Sequence, residues 1–462
     1  MTQNWNPTLQ KNEEPLYQTL VRAISDDISS GVLPADYRLP TQRELADQLQ
    51  IAIGTVTRAY SEAERKGLIR SEGRRGTFVG PSRRGRSTLA QLTKATKDVI
   101  DLSHNTPPYE VDPDISPVLR SLAKSQHAQE LLRYPSPPGM ERHRVAGARW
   151  IETLGYKTDP DSILITMGAQ HAILVALAAL AEPGDILAME AYTYPGVMAA
   201  AEMVGIEAVG VVSDQYGIIP DSLESLCKLH RVRALYINPT LQNPTNITWP
   251  ESRRREIAAI ADKYDILVLE DEIFRPLHPN PPSPISSIIP ERSCLVVSAS
   301  KTIAAGLRVG FIAVPQAIKT RIIERLQISL LAAPPLTTEI IANWIMDGSA
   351  EKIISGRRNE LDSRQKMAAE ILKRWDITTA SAACSFWLRL PESWTGLEFA
   401  MEAQRRGVAI SPAEVFATDR KTAINAVRIS VGTAPDRETL KKGLEIISGI
   451  LEGKQHQEKL MV

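Results

Sequence analysis

Five short runs rich in Ile, Leu and Val, at residues 163–166, 186–189, 234–238, 266–269 and 295–298, alternate with segments of helical pattern. Strand and helix in repeated turn is how βα units look in sequence, and it predicts an α/β fold with a mainly parallel sheet flanked by helices. Open sheets of that kind place ligand-binding loops beyond the carboxyl ends of their strands, so chemistry is to be sought there. The chain has 462 residues, too many for that sheet alone. Its 43% hydrophobic and 23% charged content excludes a largely disordered chain.

Ahead of the sheet the pattern changes. Leu16, Leu20, Ile24 and Ile28 recur every fourth residue and stop at Gly31, predicting an amphipathic helix with a glycine cap. Thr41 caps a second helix with Leu45 and Leu49 on one face, a turn is expected over 50–54, and a third helix carrying Val56, Tyr60 and Ala63 stops at Gly67. Leu68-Ile69 and Thr77 to Val79 then flank a Gly-Arg-Arg-Gly tip, the pattern of a small β-hairpin wing. The expected division is a module over 1–80, a linker over 81–100 rich in Arg, Ser, Thr and Lys, and a body over 101–462 whose C-terminal part is a smaller α+β unit.

Two strand-end segments stand out in the body, LEDEIF at 269–274 and SASKTIAAGLRVGF at 298–311. An amine that holds an aldehyde as an imine, with a carboxylate that keeps a pyridine nitrogen protonated, is what a pyridoxal phosphate site requires. Lys301 and Asp271 match those two roles. The phosphate needs donors, and Ser298, Ser300 and Arg308 surround Lys301 in sequence. TMGAQH places the amides of Gly168, Ala169 and Gln170 at the start of a helix expected over 171–181, where a dianion is favoured.

The SxSK segment with its following GLRxG, the NPTxxNPT segment and the aspartate ahead of the lysine resemble those of fold-type I aminotransferases from about Ile100 to the C-terminus. The resemblance implies that Asn243 of QNPT donates to the cofactor's ring hydroxyl and that Tyr194 of YTYPG stacks on the pyridine, with Tyr192 as its competitor. Arg428 of VRISVG resembles the arginine that grips a substrate carboxylate, and Tyr134 of RYPSPPG the tyrosine that reaches a neighbouring subunit's phosphate. A structural ion pair is the alternative role for Arg428. One departure stands out: these enzymes carry a tyrosine two or three residues beyond the aspartate, and here Ile273 and Phe274 occupy those places. Without that phenol the imine's proton affinity is less depressed, which weakens the case for efficient transamination.

The stretch RLPTQRELADQLQIAIGTVTRAYSEAERKGLIRSEGRRGTFV resembles the winged helix-turn-helix of the GntR family. Whole-chain charge is silent, with 54 basic and 54 acidic residues, but residues 36–86 hold eleven basic side chains against six acidic ones. The third helix offers Gly54, Thr55, Thr57 and Arg58 at the end where a recognition helix meets base edges and phosphates, and Arg43 adds a contact from the second. Arg74, Arg75 and Gly76 at the wing, with Arg38 and Thr41 ahead of it, complete the expected DNA-binding set. A GntR-type head on an aminotransferase-like body resembles the MocR regulators, which implies a homodimer that binds an operator in double-stranded DNA and senses vitamin B6 or an amino compound. The competing function is an aminotransferase acting on amino acids.

Cys227, Cys294 and Cys384 lie far apart, and the seven histidines show no ligand spacing, so neither disulfides nor a metal is expected. The opening MTQNWNPTLQKNEEP has no apolar signal core and the longest apolar run, Ala172 to Ala181, is too short to span a bilayer, so a cytoplasmic chain without a membrane segment is expected.

Overall fold

The computed structural model describes residues 5, 7, 15–30, 32–33, 37–65, 68–71, 76–79, 99–180, 182, 184–419 and 423–461. The chain forms two compact units, Met1–Thr93 and Lys94–Val462.

In the first unit, α1 (Leu16–Ser30), α2 (Gln42–Leu49) and α3 (Ile53–Arg65) precede the strands β1 (Ile69–Ser71) and β2 (Thr77–Val79). Their apolar stripes meet in one core, in which Leu20, Ile24, Leu45, Val56, Ala59 and Ala63 are wholly buried. Each of the larger side chains among them contributes about 1.5–3 kcal/mol. Thr41 caps α2 as expected and does so reciprocally: Glu44 N donates to its hydroxyl and Thr41 N donates to the Glu44 carboxylate. The turn before α3 is shorter than the sequence suggests, because Gln50 takes a left-handed conformation (φ 53°) and Gly54 and Thr55 already lie inside the helix. β1 and β2 pair antiparallel, with Ile69 opposite Val79. Arg38 bridges to Phe78, while Leu39 N donates to Thr77 O (2.9 Å) and Val79 N to Tyr37 O (2.8 Å), so the wing has a third edge. Gly76 sits at φ 113°, and a Cβ there would come within 3.0 Å of Arg38 Nε, so the wing base needs glycine on both counts. Arg74 and Arg75 lie outside the described residues, as does all of the linker except its last two positions.

In the second unit, β3 (Ile100–Asp101) comes first; Ile100, assigned to the linker from sequence, already belongs to this strand, its N–H donating to Gly407 O (2.8 Å). The main sheet uses β4 (Ile163–Thr166), β5 (Ile186–Glu190) and β6 (Glu207–Val211); β7 (Ser213–Asp214) and β8 (Gly217–Ile218) form a small hairpin. It continues with β9 (Val232–Ile237), β10 (Leu267–Asp271), β11 (Ser293–Ser298) and β12 (Gly310–Ala313) in the order β4-β12-β11-β10-β9-β5-β6. Only β12 runs against its neighbours. The strands are buried on both faces, which is why they read as continuous apolar runs rather than alternating ones. A second, antiparallel sheet, β13 (Ile377–Thr378), β14 (Ser385–Arg389), β17 (Ala426–Ser430) and β16 (Ser411–Pro412), makes the smaller C-terminal part, and β15 (Val408–Ala409) pairs parallel with β3. Among the described residues no helix is long and apolar enough to cross a membrane.

Candidate functional site

The carboxyl ends of β4, β5, β9, β10 and β11 lie on one edge of the main sheet, and every strand-end residue singled out from sequence falls there. Because β12 pairs with both β4 and β11, with Gly310 opposite Thr166 and Ser298, the loops after β4 and β11 are forced together. Two glycines permit the approach. A Cβ on Gly310 would fall 2.8 Å from the Gly168 carbonyl carbon, and one on Gly168, itself at φ 79°, would fall 2.9 Å from Arg308 Nη2. Arg308 Nη1 donates to Ser300 Oγ (3.0 Å), and Ser298 Oγ donates to Ser300 Oγ (3.1 Å). The adjoining helix starts at Ala169, two residues earlier than expected, so Ala169 and Gln170 occupy its first turn with amides that have no partner within the helix. The side chain of Gln170 is engaged elsewhere, donating to Gly196 O (2.9 Å). A guanidinium, two hydroxyls and a helix N-terminus around Gly168 make a cup for a dianion.

On the other side of Lys301 lies Asp271. It is buried, accepts from Tyr236 Oη (2.8 Å) and Ile273 N (3.2 Å), and burial pushes its carboxyl up to about 6. A pyridinium partner would hold it ionised. Asn238 Nδ2 donates to the Asp271 carbonyl (2.5 Å), and Asn238 Oδ1 accepts from Asn243 N (2.9 Å), which fixes the loop bearing Asn243 beside the strand end bearing Asp271. Tyr236 and Asn238 escaped the sequence reading, although both stand in the LYINPT segment next to the motif that was used. Phe274 is buried in the apolar core with Ile273 packed against it, so neither position offers a phenol or any other polar group.

Arg428 on β17 is buried among neutral acceptors: Nη1 donates to Asn243 Oδ1 (2.8 Å), Nη2 to Ser103 O (2.5 Å), and the guanidinium carbon lies 4.6 Å from the centre of the Phe416 ring. Its Nε is buried without a partner among the described residues. No carboxylate bonds to it, so the ion-pair alternative does not describe this arginine, and an anion is what its geometry lacks. Because Asn243 spends its oxygen on Arg428, its Nδ2 is left to donate. Tyr194 precedes the helix Pro195–Val204 and packs partly buried against the core, under the influence of the Asp271, Arg308 and Arg428 charges. Tyr192 is instead tied to the C-terminal part, its hydroxyl accepting from Ile424 N (2.7 Å) and its ring 6.0 Å from that of Trp387. Tyr134 is 86% exposed and touches none of these groups.

Lys301 Nζ donates to Asn105 O (2.5 Å), and burial lowers its ammonium to about 8. An amine must be neutral to attack an aldehyde. Covalent attachment of added pyridoxal phosphate should therefore accelerate about tenfold per pH unit up to roughly pH 8 and level off above it, as followed by the absorbance of the adduct after mixing. A rate that keeps climbing to pH 10 would mean an ordinary lysine. The donor set fits pyridoxal phosphate throughout, with an anion cup, a buried carboxylate for the ring nitrogen, an amide donor beside it and an amine of reduced proton affinity between them.

In the first unit, Gly54 and Thr57 are exposed on α3, Arg43 is exposed on α2 and Arg38 at the wing, while Thr55 is half-buried. Two of the expected contacts are committed within the unit. Arg58 stacks over Tyr17 with its guanidinium carbon 4.0 Å from the ring centre, and the Thr57 hydroxyl donates to Gln42 Oε1 (2.8 Å) and Ile53 O (3.0 Å).

Residues 97–447 match the model of the aminotransferase class I and II family, and residues 16–79 match that of the bacterial regulatory proteins of the gntR family. The uncharacterized HTH-type transcriptional regulator YdeF of Bacillus subtilis (strain 168) is 30% identical over 449 residues, 97% of each chain. The HTH-type transcriptional regulator TauR of Rhodobacter capsulatus is 26% identical over 91% of this chain and 94% of its own. Among solved structures, the multiple substrate aminotransferase of Thermococcus profundus superposes with a TM-score of 0.73 at 24% identity, covering 80% of this chain and 95% of that one. Its coverage fits a body fold shared with the aminotransferases and a head they lack. The matches over head, body and whole length agree with the site geometry: the chain belongs to the aminotransferase class I and II family and, by its gntR-family head, to the MocR-type regulators, with pyridoxal phosphate as the body's cofactor.

Proposed function

We propose that this chain is a transcriptional regulator of the cytoplasm whose DNA affinity responds to pyridoxal phosphate and to an amino compound bearing a carboxylate. One observation carries the reading. The two cations of the site, Lys301 and Arg428, both donate to main-chain carbonyls of a single short segment, at Asn105 and Ser103, and that segment directly continues the linker from the DNA-binding head. When bound, pyridoxal phosphate supplies an aldehyde that captures primary amines and a pyridinium that withdraws electrons. The rest is done by the chain. Asp271 holds the ring nitrogen's proton, Asn243 Nδ2 donates beside it, and Arg308 with Ser298, Ser300 and the amides of Gly168, Ala169 and Gln170 takes the phosphate.

Lys301 has two conditions, free and bonded to Asn105 O or committed covalently. Arg428 likewise either holds Ser103 O or turns its Nε and Nη donors to a ligand carboxylate. Each change alters what restrains residues 103–105, and a ligand shifts an equilibrium only through such differential contacts. Tyr134, exposed beside the equally exposed Leu132, supports a homodimer in which it completes the partner's phosphate site, so that two heads meet paired half-sites.

The reading is tested by titrating the full chain onto the DNA upstream of its own gene, with and without pyridoxal phosphate and at several salt concentrations. The expected result is a specific complex whose Kd shifts at least about fivefold with the cofactor. No specific complex under any condition would refute it. The aminotransferase reading keeps one observation in its favour, since Lys301, Asp271, Asn243 and Arg428 are all in place; turnover of amino acid and oxo acid by the loaded protein would decide for it.

A further inference from the structure

Ile53 is the first residue of α3 and is 47% exposed, although the same helix buries Val56, Ala59, Tyr60 and Ala63. Its exposed neighbours are as poor in hydrogen-bond donors as it is. Ala52 and Gly54 carry none on their side chains, and a Cβ placed on Gly54 would meet nothing within 4 Å, so open space lies beyond it. The Thr57 hydroxyl, one turn on, already spends its proton on Gln42 Oε1 and Ile53 O, which leaves its methyl as the group it can offer. Arg58 is drawn away by Tyr17. The leading end of the recognition helix is therefore a patch of carbon beside a charged flank formed by the exposed Arg43 on α2.

In the major groove one base carries an apolar group, the C5-methyl of thymine, and side chains such as these recognise it by contact alone. Guanine, by contrast, is read by bidentate donors, which this end of α3 does not hold. We infer that Ile53 is a specificity-determining residue that reads a thymine methyl in each half-site, with Thr57 as its neighbour and Arg43 anchoring the phosphate backbone without regard to sequence. The inference rests on the DNA-binding reading above and adds to it which base is read and by what.

The experiment begins with selection of binding sites by the full-length chain from random double-stranded DNA. Each thymine of the selected site is then replaced by uracil, which removes the methyl and leaves pairing intact and the protein untouched. Burial of one methyl sets the expected effect at about three- to fivefold in Kd. At one thymine per half-site the native chain should lose that much, and Ile53→Ala should bind thymine and uracil sites equally. Arg43→Ala should weaken both sites alike and flatten the salt dependence by about one unit of slope. A selected site that tolerates uracil everywhere, or an Ile53→Ala chain that still discriminates fully, overturns the inference while leaving DNA binding intact. Failure to enrich any site defeats the DNA-binding reading itself.

Discussion

Replacing Lys301 with Ala is expected to abolish covalent capture of pyridoxal phosphate: after borohydride reduction the native chain carries the cofactor's mass and the variant carries none. The reason is the proton affinity of one amine. At pH 8 an ordinary lysine is neutral to the extent of ~0.4%, whereas Lys301, held near 8 by burial, is about half neutral at the same pH. Lys228 and Lys263 show the contrast, each lying 60% exposed against Glu224 and each held in the ammonium form. The cup at Gly168 and Arg308 and the carboxylate of Asp271 do not depend on Lys301, so the variant should still bind the cofactor reversibly, seen as quenching of protein fluorescence. A reduced adduct on the variant would mean that another lysine does the work. In the DNA titration the same variant separates two possibilities, since a response to cofactor that survives in it would place the switch in the phosphate cup rather than in the bond from Lys301 to Asn105.

What the sequence made legible follows from how local each feature is. Lys301, Ser298, Ser300 and Arg308 lie within eleven residues, and Asp271 closes a strand whose apolar run announces it, so both could be placed at sheet ends before any coordinates. The contacts that define their behaviour are not local. Tyr236 reaches Asp271 from 35 residues away, and Arg428 reaches Asn243 from 185. The acceptors on Ser103 and Asn105 are main-chain carbonyls, which every residue possesses and no side chain advertises. In the head, the helices were legible from their apolar periodicity, but the third edge of the wing at Arg38 was not, since one bridge pair leaves no alternation to detect. Arg58 illustrates the converse error. A basic residue on a recognition helix suggests a phosphate, and only the fold brings Tyr17, 41 residues earlier, beneath it.

The other large effect is expected away from the chemistry, at Glu272. This carboxylate is wholly buried, and its Oε1 accepts from Arg254 Nη1 (2.9 Å), Arg275 Nη1 (3.3 Å) and Thr240 Oγ1 (3.0 Å). Arg254 in turn donates to Pro239 O and Thr240 Oγ1, both at 2.8 Å, so the network clamps the 238–243 loop to the end of β10, which is the contact that sets Asn243 beside Asp271. Glu272→Ala leaves two buried guanidiniums short of an anion. Arg254 keeps Glu270 at 3.6 Å, while Arg275 loses the only carboxylate it meets among the described residues. Removing one partner of a buried pair costs about 3–5 kcal/mol, and the remaining Glu270 favours the lower end. Urea denaturation of the full chain should show the body's transition moving down by that amount with the slope unchanged, while the head, which shares none of these bonds, keeps its own transition. Glu272→Gln retains an acceptor oxygen for Arg275 and should lose less. If Glu272→Ala proved as stable as the native chain, the guanidiniums would have to be reaching water or another acceptor, and the clamp on Asn243 would rest on Asn238 alone.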